Sequence, residues 1–180
     1  KDIVIKPTWE TVPEDMQGRM VVNIDPGTAF GTGMHETTQL VIKQLEKYVT
    51  PETDMLDVGT GSGILAVIAR MLGARSIIGT DLDENAITAS AENMEANGFS
   101  PDIFKVIQGN IIDDKAVQDE VGYEKYDVVT ANILADVIMP LSKEIAQHIK
   151  HGGVFITSGI IDMKEEAVKK TIMENPEFDI

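Results

Sequence analysis

Gly59, Gly61 and Gly63 fall at every second position, and Asp81 follows the last of them by 18 residues. Three glycines so spaced allow a tight turn and let a ligand lie against bare backbone. A helix opening behind such a turn offers free N–H groups to a polar or anionic group. An acid about 20 residues further on can accept hydrogen bonds from both hydroxyls of a ribose. Asn110 and Asn132 each close an apolar run, and a side-chain amide both donates and accepts. The plainer alternatives are a turn that only packs a strand on a helix, and an Asp81 that neighbours a helix cap supplied by Asp83. Both stay open on the glycines alone; Asp81 at that distance tips the balance toward a nucleoside site.

These residues need strands and helices to bring them together. Met55–Val58 is short and mostly apolar, as a strand covered on both faces should be, and Ile64–Leu72 is an apolar helix stopped by Gly73. Ser76–Thr80, Phe104–Gln108, Tyr126–Ala131 and Val154–Thr157 read as further strands. Between them Ala86–Asn97 reads as a helix with Ile87 and Met94 inward. Ile138–Ile149 reads as one carrying Pro140 in its first turn, and Met163–Met173 as one more. Upstream lie a strand over Met20–Ile24 and an amphipathic helix carrying Leu40, Val41, Leu45 and Tyr48. A new strand is expected to begin after Pro176. The alternation predicts an α/β fold, a Rossmann-like doubly wound, mainly parallel sheet. Residues 1–19, with Pro7, Trp9 and Pro13, read as a linker or edge segment, and 20–180 as one domain.

Thirty acids against 15 bases give a net charge of −15 over 180 residues. Such a surface repels nucleic acid and steers a basic partner inward, although solubility alone also accounts for acidity. The longest apolar run, Ile64–Ala69, is too short to cross a membrane. Without cysteine there is no disulfide, thiolate metal site or cysteine nucleophile, which fits a cytoplasmic setting. No histidine–carboxylate spacing suggests a metal. His148 and His151 sit at a helix end, where positive charge favours the dipole.

Two cofactor types fit the glycine turn. The dinucleotide fingerprint wants glycine or alanine where Ile64 stands, and no phosphate-loop Gly-Lys-Ser/Thr is present. The Gly59–Gly63 spacing resembles motif I of S-adenosylmethionine-dependent methyltransferases, and the sheet is expected to be of that type. A second glycine loop runs Asp25-Pro26-Gly27-Thr28-Ala29-Phe30-Gly31-Thr32-Gly33-Met34-His35-Glu36-Thr37-Thr38. With Ala131-Asn132-Ile133-Leu134 and His151-Gly152-Gly153…Ser158-Gly159-Ile160-Ile161, it resembles the methyltransferases of ribosomal protein L11. The resemblance spans about Ile5 to Ile161.

The amino-acid end of the methyl donor is assigned to the Gly59–Gly63 backbone and Asn132, and its ribose to Asp81. The resemblance adds Thr38 and the loop residues Phe30 and Thr32 as donor contacts. Asn110 stands where many methyltransferases place an acid against adenine, and a backbone N–H of Ile111 is the alternative there. Leu134 replaces the aromatic that stacks on an extruded base in nucleic-acid amino methyltransferases, which argues against a base substrate. A lysine amine titrates near about 10.4 and an α-amine near about 8, so the site must hold a neutral amine by positioning and acceptors. Asn132 is the expected catalytic acceptor; His35 is a possible assistant, and no general base is required. The expected function is S-adenosylmethionine-dependent N-methylation of lysine side chains or an N-terminal α-amine of a basic ribosomal protein. The alternatives are a methyltransferase for another protein or a small amine, and a non-catalytic nucleotide-binding module. In the resembling family a separate N-terminal domain recognises the substrate. The chain is therefore expected to begin in the linker and stop before the final strands.

Overall fold

The computed structural model describes residues 2–25, 27 and 36–180. The expectations for Phe30, Thr32 and His35 lie outside these residues. The opening segment contributes β1 (Ile3–Lys6), which pairs in parallel with β2 (Met20–Asn23) as a small separate sheet.

The main sheet has five parallel strands: β3 (Asp54–Val58), β4 (Ser76–Asp81), β5 (Phe104–Gln108), β6 (Tyr126–Asn132) and β7 (Ile149–Ser158). They lie in the order β5-β4-β3-β6-β7, so the chain first winds outward from β3 and then returns to its other side. The reversal falls between β3 and β6, where Val58 is in register with Ala131. Ligands of doubly wound sheets bind beyond the strand ends at this reversal.

Every residue of β3 is buried, because helices cover both faces. Alternate side chains sort into two cores. Met55, Ile77, Val128 and Ile156 meet α1 (Glu36–Tyr48), α2 (Ile64–Met71) and Met94 of α3 (Asn85–Ala96). Leu56, Val58, Val129 and Ala131 meet α4 (Lys115–Val121) and α5 (Ala135–Glu144). Helix α6 (Glu165–Met173) packs on α5 through Val168 and Ile138. Among the described residues no helix is long and apolar enough to cross a membrane.

Four expectations need correction. Ile87 is on the exposed side of α3, and Ala86, Ser90 and Met94 occupy the buried side. The helix expected over 138–149 begins at Ala135, which puts Pro140 inside it; a 3-10 turn over Ile145–His148 then ends it. Residues 178–180 form no strand, and the Phe178 ring stacks on Phe155 with centroids 5.6 Å apart. His148 is fully buried: its Nδ1–H donates to the Gly122 carbonyl at 2.6 Å, and burial pushes its pKa down. It is a neutral packing residue, stacked on Tyr123, and contributes no positive charge at the helix end.

The strand ends opposite the reversal are tied by ions. Asp54 accepts from Arg75 Nε at 3.0 Å, from Arg75 Nη2, from Ser76 Oγ at 2.7 Å and from Lys150 Nζ at 3.3 Å. Lys150 also reaches Asp127 at 2.9 Å, and Asp127 accepts the Asp54 N–H. One network thus joins the starts of β3, β4, β6 and β7. The Arg75 guanidinium holds the Asp54 carboxyl well below the usual carboxylate range. A depressed pKa stabilises the fold above the unfolded value and loses that contribution as pH falls toward the folded one. Asp54→Asn should therefore cost about 2 kcal/mol at pH 7, the scale of charged hydrogen bonds. The gap from wild type in urea unfolding should narrow below about pH 4.

Candidate functional site

The turn after β3 is held from both sides. Gly59 and Thr60 donate their N–H groups to the Thr80 carbonyl at 2.8 and 3.1 Å, locking the turn to the end of β4. Gly59 (φ 71°) has the Ile133 side chain against it: a Cβ would lie 2.5 Å from Ile133 Cγ2. No larger residue fits, so backbone is bare there for a steric reason. Gly63 (φ 79°) is closed off by α3, where a Cβ would meet Ser90 Cβ at 2.7 Å.

Asp81 ends β4 beside this turn. One carboxylate oxygen accepts the Gly61 N–H at 2.9 Å and the other accepts the Asp83 N–H at 2.9 Å. Each oxygen keeps further lone-pair capacity. The Asp83 carboxylate accepts the Asn85 N–H at 2.9 Å, so Asp83 rather than Asp81 bonds the first residue of α3. Asn110, beyond β5, turns its Oδ1 back to the Ile112 N–H at 3.1 Å and keeps its N–H₂ as donor.

Asn132 ends β6 and donates from Nδ2 to the Thr38 hydroxyl at 3.0 Å. That bond crosses from β6 to the first turn of α1. A second tie runs from Ser158 Oγ to the Thr37 carbonyl at 3.2 Å. Thr38 is buried; it meets the site through Asn132, and Thr37 stands on the open side. With Nδ2 engaged, Asn132 has its Oδ1 and one remaining N–H to offer a ligand.

These groups surround a cavity of about 590 Å³ at the ends of β3, β4, β5 and β6. Gly59, Gly61, Asp81, Asn110 and Asn132 line it together; Gly63 and Thr38 stand behind its wall. Leu82, Ile112, Ile133, Leu134 and Val137 supply an apolar lining. The charged residues on it are Asp81 and Asp83, with no base among the described lining residues.

Asp57, two residues before the turn, carries no expectation from sequence, yet it underpins the site. Its carboxylate is buried and accepts from Thr60 Oγ1 at 2.9 Å and from Thr130 Oγ1 at 2.7 Å. It joins the glycine turn to the strand that carries Asn132. A lone acid inside an apolar run was the available signal.

A parallel sheet whose reversal carries a glycine turn, a strand-end acid and a partly apolar cavity is a Rossmann-like fold of the S-adenosylmethionine-dependent methyltransferase type. The family model described as ribosomal protein L11 methyltransferase matches residues 1–180, and the chain belongs to that family. The ribosomal protein L11 methyltransferase of Lachnospira eligens is 60% identical over 179 residues, covering 99% of this chain and 56% of that protein. Its counterpart from Agathobacter rectalis is 51% identical, covering 95% of this chain and 54% of that protein. The chain thus spans about half the length of these curated relatives. The crystal structure of ribosomal protein L11 methylase from Lactobacillus delbrueckii subsp. bulgaricus has a TM-score of 0.82 at 34% identity, over 96% of this chain and 83% of that one. A putative methyltransferase complexed with SAH, 17% identical over 85% of this chain and 43% of its own, shares the fold with a TM-score of 0.68.

Burial, reinforced by the nearby Asp81 charge, raises the Asp57 pKa from 3.8 to about 6, against the lowering effect of its two hydroxyl partners. A carboxyl whose pKa is raised on folding favours the folded state most while protonated. Its contribution declines between about pH 4 and pH 6, by about 3 kcal/mol at most. Asn in its place can still bond both hydroxyls without a charge. Relative to wild type, Asp57→Asn should gain stability as pH rises from 4 to about 7.5. Urea midpoints measured across that range check the sign; a pH-independent difference would contradict it.

Proposed function

We propose that this chain carries the methyl-transfer site of an S-adenosylmethionine-dependent protein N-methyltransferase. Its proposed substrates are lysine side chains, the N-terminal α-amine, or both, of a large-subunit ribosomal protein. The observation that carries the reading is the charge of the cavity lining. A pyrophosphate-bearing dinucleotide would face Asp81 and Asp83 with no base among the described lining residues, whereas a sulfonium cation meets favourable charge.

In this reading Asp81 accepts from the ribose hydroxyls with the capacity left by Gly61 and Asp83. The Gly59–Gly61 backbone lies against the amino-acid end, the bare Gly59 permitting close approach. Leu82 and Ile112 offer flat apolar contact for adenine, with the Asn110 N–H₂ as edge donor. Thr38 holds Asn132, and Phe30 and Thr32 are proposed to complete the donor site. Gly63 serves it by admitting Ser90 of α3.

The donor supplies an electrophilic methyl group. The chain's own residues must present a neutral amine in line with it. Asn132 accepts an amine N–H through Oδ1 without titrating, and the apolar lining disfavours the ammonium form by desolvation. Catalysis then comes from orientation, with the amine proton passing to solvent after transfer.

The rim favours a protein substrate. Leu134 is 72% exposed at the cavity mouth, and Met163 is 90% exposed on the loop beyond β7. The two loops are apposed through the Asp136–Lys164 pair at 2.7 Å and the Gly159–Ile133 contact. A small amine has no use for such a rim, whereas the aliphatic neighbours of a basic segment do. The acids Asp81, Asp83, Glu84, Asp113, Asp114 and Asp162 follow the strand ends on this side and would draw such a segment in. A cytoplasmic location, beside its substrate, is part of this proposal.

Calorimetry with S-adenosylhomocysteine and NAD tests the donor reading. S-adenosylhomocysteine should bind and NAD should not; the reverse would sink it. Asp81→Ala should weaken S-adenosylhomocysteine by about 1.5–3 kcal/mol. Asn132→Ala should lower kcat on the ribosomal protein by about tenfold or more, with a smaller effect on donor affinity. An intact kcat would return Asn132 to a structural role.

A further inference from the structure

Helix α3 turns a face of small and polar residues toward the site: Ala86, Ser90 and Asn93, followed at helical spacing by Asn97 just past its end. Ala86 lines the cavity and Ser90 packs against Gly63. The next residue, Asn93, is 3% exposed and spends both ends of its amide on backbone. Its Nδ2 donates to the Ser62 carbonyl inside the glycine turn at 2.8 Å. Its Oδ1 accepts the Asp25 N–H at 3.0 Å. Asp25 lies two residues beyond β2 and stands at the head of the second glycine loop.

Asn97 makes a comparable clasp one turn further along. Its Oδ1 accepts the Asn23 N–H at 2.7 Å, and its Nδ2 donates to the Asn23 carbonyl at 2.7 Å. A single side chain thereby satisfies both backbone groups of Asn23, as a neighbouring strand would. Asn97 also donates to the Asn93 carbonyl at 2.7 Å, but it reaches the end of β2 and not the glycine turn. Asn93 reaches the glycine turn and the chain beyond β2 together.

We propose that Asn93 is a positioning residue for donor binding: it holds Asp25, where the second glycine loop begins, in fixed register with the glycine turn at Ser62. This rests on the reading of the cavity as the donor site. Only an amide of this length does both jobs. A carboxylate would keep the acceptor for the Asp25 N–H but turn an oxygen on the Ser62 carbonyl. An alanine would remove both bonds and with them this tie between Asp25 and the glycine turn.

Asn97 provides the control, since it makes bonds of the same kind on the same helix without touching the glycine turn. Calorimetry with S-adenosylhomocysteine on the full chain, beside thermal unfolding, separates the two. Asn93→Ala should weaken S-adenosylhomocysteine at least about tenfold, the loss of one oriented contact set. Asn97→Ala should lower the melting temperature with affinity within about twofold of wild type. Hydrogen exchange gives a readout that a purely structural role would not move. In wild type, binding should slow exchange of the Asp25 amide; in Asn93→Ala it should not. Should Asn93→Ala fail to fold, Asn93→Asp decides, with weakened binding expected. If wild type binds no S-adenosylhomocysteine, the donor reading itself has failed. If wild type binds and a folded Asn93 variant binds equally well, with Asp25 still protected on binding, the positioning role is overturned.

Discussion

A single buried carboxylate sets the geometry on which the site depends. Asp57 lies in the most enclosed strand of the sheet, and its two oxygens take hydroxyls from opposite directions: Thr60 in the glycine turn and Thr130 in β6. The two halves of the doubly wound sheet meet between those strands, and a ligand bridging them needs their ends in constant register. A hydroxyl pair bonded to a shared carboxylate is stiffer than apolar contact, because both hydroxyls must point inward to satisfy it. The cost is desolvation of the charge, which appears as the raised pKa. Asp57 thus trades stability near neutral pH for a fixed distance between the turn and Asn132.

The two ends of the sheet handle charge in opposite ways. At the strand starts Asp54 and Asp127 are paired with Arg75 and Lys150, so carboxylates there are neutralised within the protein. At the strand ends Asp81 and Asp83 accept, among the described residues, from backbone N–H groups. Negative potential is therefore left uncompensated where the cavity opens, and an acidic sequence becomes a directional field. The Asp136–Lys164 pair lies on that side, and it joins the first turn of α5 to the segment beyond β7. A cationic donor and a basic substrate segment would both travel down this gradient.

Much of this was legible in the sequence, and the losses have physical causes. The glycine turn and Asp81 stood out because the turn demands glycine and the acid ends an apolar run. The strands stood out because burial on both faces makes them continuously apolar. Helix α4 was missed: seven residues long, it turns inward only Val117, Gln118 and Val121, and the buried Gln118 reads as a surface residue. Its Nε2 donates to the Ile111 carbonyl at 2.9 Å, back across the preceding turn, a use no helical pattern announces. Asp57 and Asn93 were missed for the same reason. Polar residues on an apolar strand or a mixed helix look solvated until the partner from another element is known. An apolar pattern points Ile87 inward, whereas the buried side of α3 is Ala86, Ser90, Asn93 and Met94, largely small or polar residues.

That stripe belongs to a wider pattern in the polar parts of the site. Where two elements must be joined in this half of the molecule, the chain repeatedly uses asparagine: Asn93 between Ser62 and Asp25, Asn97 at Asn23 and Asn132 at Thr38, while Asn110 folds its own turn back on Ile112. A carboxylate could accept in each place, but it would add charge near Asp57 and raise its pKa further. A lysine or arginine would cancel the negative field the cavity needs. The amide donates and accepts at once, holds no charge and does not titrate. Its cost is directionality, since a flipped amide offers the wrong group to both partners. Each amide that contacts two elements is therefore also oriented by them, as Thr38 orients Asn132. The acids in this site supply the field, and the amides supply the distances.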